Sequence, residues 1–152
     1  MKEVIPMKKF SIEKMNISKR PGDNKEMCLC AYMGIERSNH DATRYDMHSD
    51  IESGNMLISV KSDHSTLMSG TLCEGLTTVV DIWNLYASRV HSNAFAYISN
   101  DYNVYMMNLS EFHDMIMTFG VIESESGKNK GMKKVRIKHE SKTMLKWLDA
   151  RA

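Results

Sequence analysis

The chain has 152 residues, the size of one ordinary domain, and 42% of them are hydrophobic while 26% are charged. These proportions predict a globular protein. No apolar run approaches the roughly 18 residues that a membrane span requires. Residues 1–6 also lack the apolar stretch of a signal peptide. We therefore expect a cytoplasmic protein without a membrane partner.

The formal net charge of +1 hides a strong segregation along the chain. Residues 1–22 carry a charge of +4 and residues 126–152 carry +7, whereas residues 23–125 carry −10. This distribution suits a metal-dependent enzyme that acts on a polyanion, because carboxylates can hold the metal while lysines and arginines face phosphate. An uneven solvated surface without such a role is the alternative.

Two classes of site are not indicated. The three cysteines lack the spacing of a disulfide framework or of a four-ligand zinc site. Cys28 and Cys30 lie in an apolar run, so we expect buried free thiols. Neither a Gly-x-Gly-x-x-Gly pattern nor a Walker A sequence occurs, so a nucleotide cofactor has no support.

The N-terminal segment ends in a basic stretch that Pro21 and Gly22 close. Its hydrophobic periodicity is weak. We interpret residues 1–21 as a basic N-terminal arm and residues 22–152 as a single α/β domain. A short preliminary element is the alternative for the arm.

The domain is predicted to begin with a helix of about 11 residues. Asp23 and Glu26 have the spacing of a capping box, and an apolar run covers residues 27–33. Gly34 can end the helix, because glycine readily adopts the left-handed conformation of a C-cap.

Two strand-like segments follow, at residues 45–52 and 56–63, and Gly54-Asn55 can form a two-residue hairpin turn between them. The facing pairs in this register are Ser53–Met56, Asp50–Ser59 and His48–Lys61. Because side chains alternate along a strand, one face collects polar and ionisable residues. These are Asp46, His48, Asp50, Glu52, Ser59 and Lys61. The other face is predicted to be a core face, with Tyr45, Met47, Ile51, Met56, Ile58 and Val60.

The second half of the chain is predicted from its turn and cap residues. It has a loop at 64–76, a helix from Thr78 to about His91 with Asp81 in its cap, and a hairpin of strands 94–99 and 104–109. A helix at 111–119, capped by Ser110 and closed by Gly120, leads to a short strand at 121–125 and a strand at 133–139. A last helix begins after Ser141. This order predicts an α/β fold with a mixed β-sheet flanked by helices, rather than a doubly wound Rossmann fold.

Three short motifs stand out within residues 22–110. They are Gly22-x-x-x-Glu26 on the first predicted helix, Ser49-Asp50-Ile51 on the first hairpin strand and Ser59-Val60-Lys61 on the second. This arrangement resembles the core of the PD-(D/E)xK, or restriction-endonuclease-like, superfamily, which includes restriction enzymes and small Holliday-junction resolvases. The next helix and the last strand pair agree with the order of elements in that family.

The resemblance implies a nuclease-like domain with a magnesium site. Asp50 takes the place of the metal-binding aspartate, Glu26 or Glu52 completes the site, and Lys61 takes the place of the catalytic lysine. Mg²⁺ is the expected cofactor and Mn²⁺ the alternative, because phosphodiester hydrolysis needs a hard cation held by carboxylates. The departure is Ser59, which stands where the family has an acidic residue.

Contacts with nucleic acid are expected at two places. Ser62 and His64 follow Lys61 directly and could bind phosphate, although an ordinary polar loop explains them equally well. Lys134, Arg136 and Lys138 alternate on one strand face and form the better basic patch.

DNA is therefore the expected partner, and a homodimer is compatible with the family. The leading hypothesis is a Mg²⁺-dependent DNA endonuclease. The second is a nuclease fold that has lost catalysis and binds nucleic acid or a protein, and Ser59 favours it. The third is an inhibitor or adaptor from a mobile element, whose acidic middle mimics nucleic acid.

Overall fold

The computed structural model of the chain describes residues 7–36, 51–53, 56–68, 70–127, 130 and 132–152. In chain order its elements are β1 (Lys8–Ser11), α1 (Pro21–Met33), β2 (Ile51–Ser53), β3 (Met56–Lys61), β4 (Thr66–Met68), α2 (Val79–Arg89), β5 (Ala94–Ile98), β6 (Asn103–Met107), α3 (Leu109–Phe119), β7 (Gly120–Ser124), β8 (Lys133–Ile137) and α4 (Lys142–Asp149), with a 3-10 turn at Gly70–Cys73. The predicted fold class, a mixed sheet flanked by helices, is confirmed. Among the described residues, no helix is both long and apolar enough to cross a membrane.

The larger sheet has five strands in the order β1-β6-β5-β3-β2. Its β3 and β5 run parallel, and its other neighbours are antiparallel. The smaller sheet has the order β4-β8-β7 and is antiparallel throughout. Every residue of β5 is buried, as expected for a central strand that is covered on both faces.

Two apolar clusters lie on opposite faces of the larger sheet. On one face, Cys28 and Leu29 of α1 pack with Ile51, Ile58 and Ala96. On the other face, α2, α3, α4 and the smaller sheet pack around a cluster that includes two aromatic side chains of β5, Phe95 and Tyr97.

The predicted hairpin register is confirmed where it is described, since Ser53 pairs with Met56 and Ile51 pairs with Ile58. The Gly54-Asn55 turn, Asp50 and His48 lie outside the described residues. Ile51 and Ile58 are fully buried, as predicted. The prediction for Met56 is wrong. Its side chain is 42% exposed, because the pairing of β3 with β5 begins only at Ile58 and Met56 extends beyond it.

Part of the N-terminal segment belongs to the larger sheet. Its residues Lys8–Ser11 form β1 and pair with β6, which agrees with the alternative of a short element over that range. The predicted capping box at Asp23 is wrong. The α1 helix begins at Pro21 with Arg20 as its N-cap, which leaves Asp23 inside the first turn. Gly34 ends the helix with φ 70°, as predicted.

Three further expectations have clear outcomes. Residues 64–76, predicted as a loop, contain β4 and the 3-10 turn, because β4 is stabilised by pairing with the distant β8. The predicted cap of α3 at Ser110 is wrong, since Asn108 occupies the N-cap. The caps at Thr78 and Ser141 are confirmed by hydrogen bonds from the backbone N–H groups of Asp81 and Met144.

Candidate functional site

The carboxyl ends of the parallel strands β3 and β5 lie at the same edge of the larger sheet. Such an edge is where open α/β sheets usually bind ligands. The end of β8 reaches the same place, because the backbone N–H of Ile137 donates to the carbonyl of Ser65 at 2.8 Å. Side chains from the two strand ends meet there. We call Asp63, His64, Arg136, His139 and Glu140 the strand-end cluster.

Asp63 is the centre of the strand-end cluster. Its Oδ1 accepts from His139 Nδ1 at 2.9 Å and from the Glu140 backbone N–H at 2.8 Å. Burial on its own would raise the pKa of Asp63, but these hydrogen bonds outweigh it and the pKa is lowered. Asp63 is therefore ionised at neutral pH, and an ionised carboxylate only accepts, so His139 Nδ1 carries the hydrogen.

His64 lies on the other side of His139. The two imidazole rings stack with their centroids 4.2 Å apart. Arg136 Nη1 is 3.2 Å from His64 Nδ1, and because a guanidinium has no acceptor, His64 Nδ1 accepts this hydrogen bond. Arg136 also forms an ion pair through Nε with Glu123, at 2.7 Å. His64 has φ 61°, an uncommon backbone conformation for a residue with a side chain.

A hydrogen-bonded network that includes the buried side chains of Tyr97 and Lys25 adjoins the strand-end cluster. Glu140 Oε1 accepts from the Tyr97 hydroxyl at 2.7 Å, and its Oε2 accepts from the Asn100 backbone N–H at 3.1 Å. Lys25 Nζ donates to Asn100 Oδ1 at 2.7 Å. Lys25 is only 4% exposed, and this burial lowers its pKa, although Glu140 and Asp63 oppose the shift. Glu140 is thus held in place by hydrogen bonds from Tyr97 and Asn100.

Lys61, the predicted catalytic lysine, lies on the same face of the larger sheet as Tyr97. It is paired in register with Tyr97, whose hydroxyl contacts Glu140. Side chains at paired positions point to the same face. The Lys61 ammonium lies 6.0 Å from the centre of the Tyr86 ring. The backbone of Lys61 therefore lies one strand away from Tyr97, and its ammonium lies near Tyr86 of α2.

Ser59, at the position where the family has an acidic residue, is 6% exposed. Its hydroxyl is 2.7 Å from that of Ser92. Ser62 is also buried, and its backbone N–H donates to Ser65 Oγ at 2.8 Å. A Cβ placed on Gly22 would lie 3.5 Å from Ser62 Oγ, so Ser62 faces the start of α1 and not the Lys61 face.

The predicted magnesium ligands are only partly described. Asp50 lies outside the described residues, and so does the side chain of Glu52. The backbone of Glu52, in β2, pairs with Leu57 in β3. Glu26 is on α1, and α1 packs on the face of the sheet opposite Lys61. The described residues therefore do not bring Glu26 and Lys61 to one face.

The basic strand has the predicted alternation, since Val135 and Ile137 are fully buried between more exposed basic residues. Lys138 is exposed. Lys134 pairs in register with Glu123, the same residue that binds Arg136. This carboxylate offsets part of the positive charge on that strand.

Sequence reasoning missed Asp63, His139 and Glu140. Their positions next to motifs already singled out could have identified them. Asp63 closely follows the Ser59-Val60-Lys61 motif, and His139-Glu140 directly follows the basic strand. What the sequence did not indicate was the pairing of β4 with β8 that joins these two places.

Comparisons with protein-family models, with curated proteins and with solved structures gave no match. The likeness to the PD-(D/E)xK superfamily therefore stays a prediction from the motifs. Since a fold does not determine a function, the function has to be inferred from the geometry of the site itself.

The strand-end cluster also contains metal-ligating groups. Asp63, His64 and His139 each offer one ligand atom, and these three atoms lie within 4.8 Å of one another. Two imidazoles and one carboxylate are a poor fit for Mg²⁺, which prefers oxygen ligands in near-ideal octahedral geometry. The magnesium expected from the resemblance thus gains no support from these donors.

Proposed function

We propose that the protein binds DNA and hydrolyses its phosphodiester bonds at the strand-end cluster. The observation that supports this most is the contact between two residues that were selected from the sequence for binding phosphate. Arg136 is hydrogen-bonded to His64, and Lys61 is paired in register with Tyr97, whose hydroxyl contacts Glu140 of the cluster. Lys138 follows β8 directly and is exposed.

Each of these groups has a chemical part in the proposal. Lys61 stabilises the negative charge that develops on the phosphate as the bond breaks. Arg136 offers a planar set of donors that suits phosphate oxygens, and Lys138 neutralises a neighbouring phosphate. Mg²⁺ with Asp50 and Glu52 stays a prediction.

The test is cleavage of a panel of duplex, branched and single-stranded DNA with Mg²⁺ or Mn²⁺. Lys61→Met keeps most of the aliphatic stem beside Tyr86 and removes the charge. We expect it to lower the cleavage rate by about a hundredfold or more, as with the loss of one group that stabilises transition-state charge. Lys130→Met, at an exposed residue that precedes β8, is the matched control and should cleave like the unchanged protein.

A second function is favoured by Ser59, which is buried against Ser92 where the family has an acidic residue. In this case the fold binds DNA without cutting it. No cleavage with either metal, together with salt-dependent binding, would reject hydrolysis and retain binding. Absence of binding even at low salt would reject both and favour the third hypothesis, a protein whose acidic middle mimics nucleic acid.

A further inference from the structure

Asp63, His64 and His139 come from two segments more than seventy residues apart, yet their ligand atoms lie within 4.8 Å of one another. The carboxylate side chain is 17% exposed and the His139 side chain 70% exposed. One ligand is thus partly buried and fixed, while the imidazoles face solvent. A dissolved ion can reach such a group directly.

The carboxylate is held in place by groups that are not ligands themselves. Asp63 accepts from the Glu140 backbone N–H at 2.8 Å, and Glu140 is in turn bound by the Tyr97 hydroxyl at 2.7 Å. In protein metal sites, the ligands are oriented by hydrogen bonds of this kind, from groups that do not touch the metal themselves. The stacking of His64 on His139 places the second imidazole beside the first.

Both positive and negative side chains lie near Asp63, His64 and His139. Arg136 contacts His64 and opposes a cation there, but its own ion pair with Glu123 offsets much of its charge. Asp63 and Glu140 contribute two carboxylates, and both of them also interact with the buried Lys25 ammonium, which is a second positive charge nearby. If His64 binds an ion through Nδ1, Arg136 gives up that contact and keeps its bond to Glu123. At His139 the ion takes the place of the Nδ1 hydrogen that is donated to Asp63, and the ring carries its hydrogen on Nε2 instead.

We propose that Asp63, His64 and His139 form a binding site for a transition metal ion of the Zn²⁺ type. Imidazole nitrogen suits zinc and its neighbours in the first transition row, whereas Mg²⁺ and Ca²⁺ take oxygen ligands. Three protein ligands leave one position of a tetrahedral zinc ion open for water or a substrate oxygen. The inference goes beyond the proposed function, because it requires neither DNA nor cleavage.

The test is calorimetric titration of the full chain with Zn²⁺ in the absence of nucleic acid. We expect one saturable site, with affinity at least about tenfold weaker in Asp63→Asn, His64→Gln or His139→Gln, the lower end of the effect of a perturbed metal site. His113→Gln is the matched control, because His113 Nδ1 lies 3.3 Å from Asp114 at an exposed position outside the group. This variant should bind Zn²⁺ like the unchanged protein.

Two further measurements make the result decisive. Circular dichroism checks that each variant is folded. Because the His139 side chain is exposed, His139→Gln should leave the fold unchanged. Addition of Zn²⁺ should shift the side-chain NMR resonances of His64 and His139. Absence of saturable binding overturns the proposal, and so does binding that survives in the double variant His64→Gln/His139→Gln. Cleavage can fail or succeed independently of this outcome.

Discussion

Asn24 joins three parts of the chain through one side chain that is 4% exposed. Its Oδ1 accepts from the backbone N–H groups of Ile17 and Ser18, at 2.8 and 2.9 Å. Its Nδ2 donates to the carbonyl of Met15 and to the hydroxyl of Tyr102, at 2.8 and 2.7 Å. All four hydrogen-bonding positions of the amide are used. Asn24 therefore fixes the segment before α1 and the turn after β5 to the helix.

We expect Asn24→Ala to lower the free energy of unfolding by about 2–3 kcal/mol, because it leaves the buried Tyr102 hydroxyl and three partly buried backbone groups without this hydrogen bond. Asn84→Ala is the control, since Asn84 is an exposed residue on α2 and its loss should change stability by no more than about 0.5 kcal/mol. Urea unfolding measures both. Equal effects of the two variants would show that the buried network contributes nothing beyond an average side chain.

At the scale of the element, the start of α3 shows how one cap is chosen from two candidates. Asn108 Oδ1 accepts from the Glu111 backbone N–H at 2.8 Å, and Glu111 Oε1 accepts from the Asn108 N–H at 3.2 Å. Ser110 lies two residues further on, inside the helix. Both are good cap residues, so local chemistry did not distinguish them.

Asn108→Ala should therefore destabilise the protein by about 1 kcal/mol, the usual loss for an N-cap. Ser110→Ala should be nearly neutral, because Ser110 makes no capping contact and alanine is the better helix former. Thermal unfolding of the two variants beside the unchanged protein compares them directly. A larger loss for Ser110→Ala would contradict the cap assignment.

Gly120 links α3 to β7, and there is no room for a side chain at this position. A Cβ on Gly120 would lie 2.4 Å from the carbonyl oxygen of Ile116. Its φ is −74°, so the glycine is required by close approach and not by a left-handed backbone.

We expect Gly120→Ala to cost about 1–3 kcal/mol, as is typical of overpacking. Gly22→Ala is the matched control in α1, where the new Cβ would be at an ordinary 3.5 Å from Ser62 Oγ. It should be neutral or should stabilise by up to about 1 kcal/mol, since alanine favours a helix over glycine. Equal values for both in chemical denaturation would rule out the clash.

Most elements were predictable because their signals are local. Turn residues, Gly34, Thr78 and Ser141 marked boundaries that the structure confirms. The strand β4 has only three residues and gains its stability from β8, so no local pattern revealed it. The same pairing brings Asp63 to His139, which is why three of the five residues of the strand-end cluster were missed. The predicted residues Lys61, His64 and Arg136 came from motifs and alternation, which are also local.

At the scale of the whole molecule, the two basic ends of the sequence meet. Lys9 Nζ of β1 lies 2.8 Å from Asp149 Oδ1 at the end of α4. The Tyr105 hydroxyl of β6 donates to the same oxygen at 2.6 Å. Burial, and to a smaller extent the hydrogen bond to Asp149, raises the pKa of Tyr105 to about 12. One carboxylate thus connects the first strand, an inner strand and the last helix.

This junction predicts a loss of stability in alkali. A tyrosine has a pKa of about 10 in the unfolded chain, so the contribution of Tyr105 is complete below about pH 10 and disappears as the pH rises through about 12. Lys9 acts in the same direction, because its hydrogen bond to Asp149 raises its pKa. Tyr105→Phe should flatten the fall in unfolding free energy over this window, measured by urea unfolding at several pH values. Tyr32→Phe, at an exposed ring, controls for the substitution itself. An unchanged slope in Tyr105→Phe would contradict this origin.

The pairing of β1 with β6 also has a consequence for synthesis on the ribosome. Lys8 pairs with Met106, about a hundred residues later, so β1 has no partner until most of the chain has been made. At roughly 5–20 residues per second this leaves an unpaired strand waiting for about 5–20 s. Unpaired strands invite aggregation, and charged residues, lysine above all, are a common protection. Lys8 and Lys9, which are exposed in the finished sheet, would then keep the nascent chain apart from its neighbours before the fold is complete.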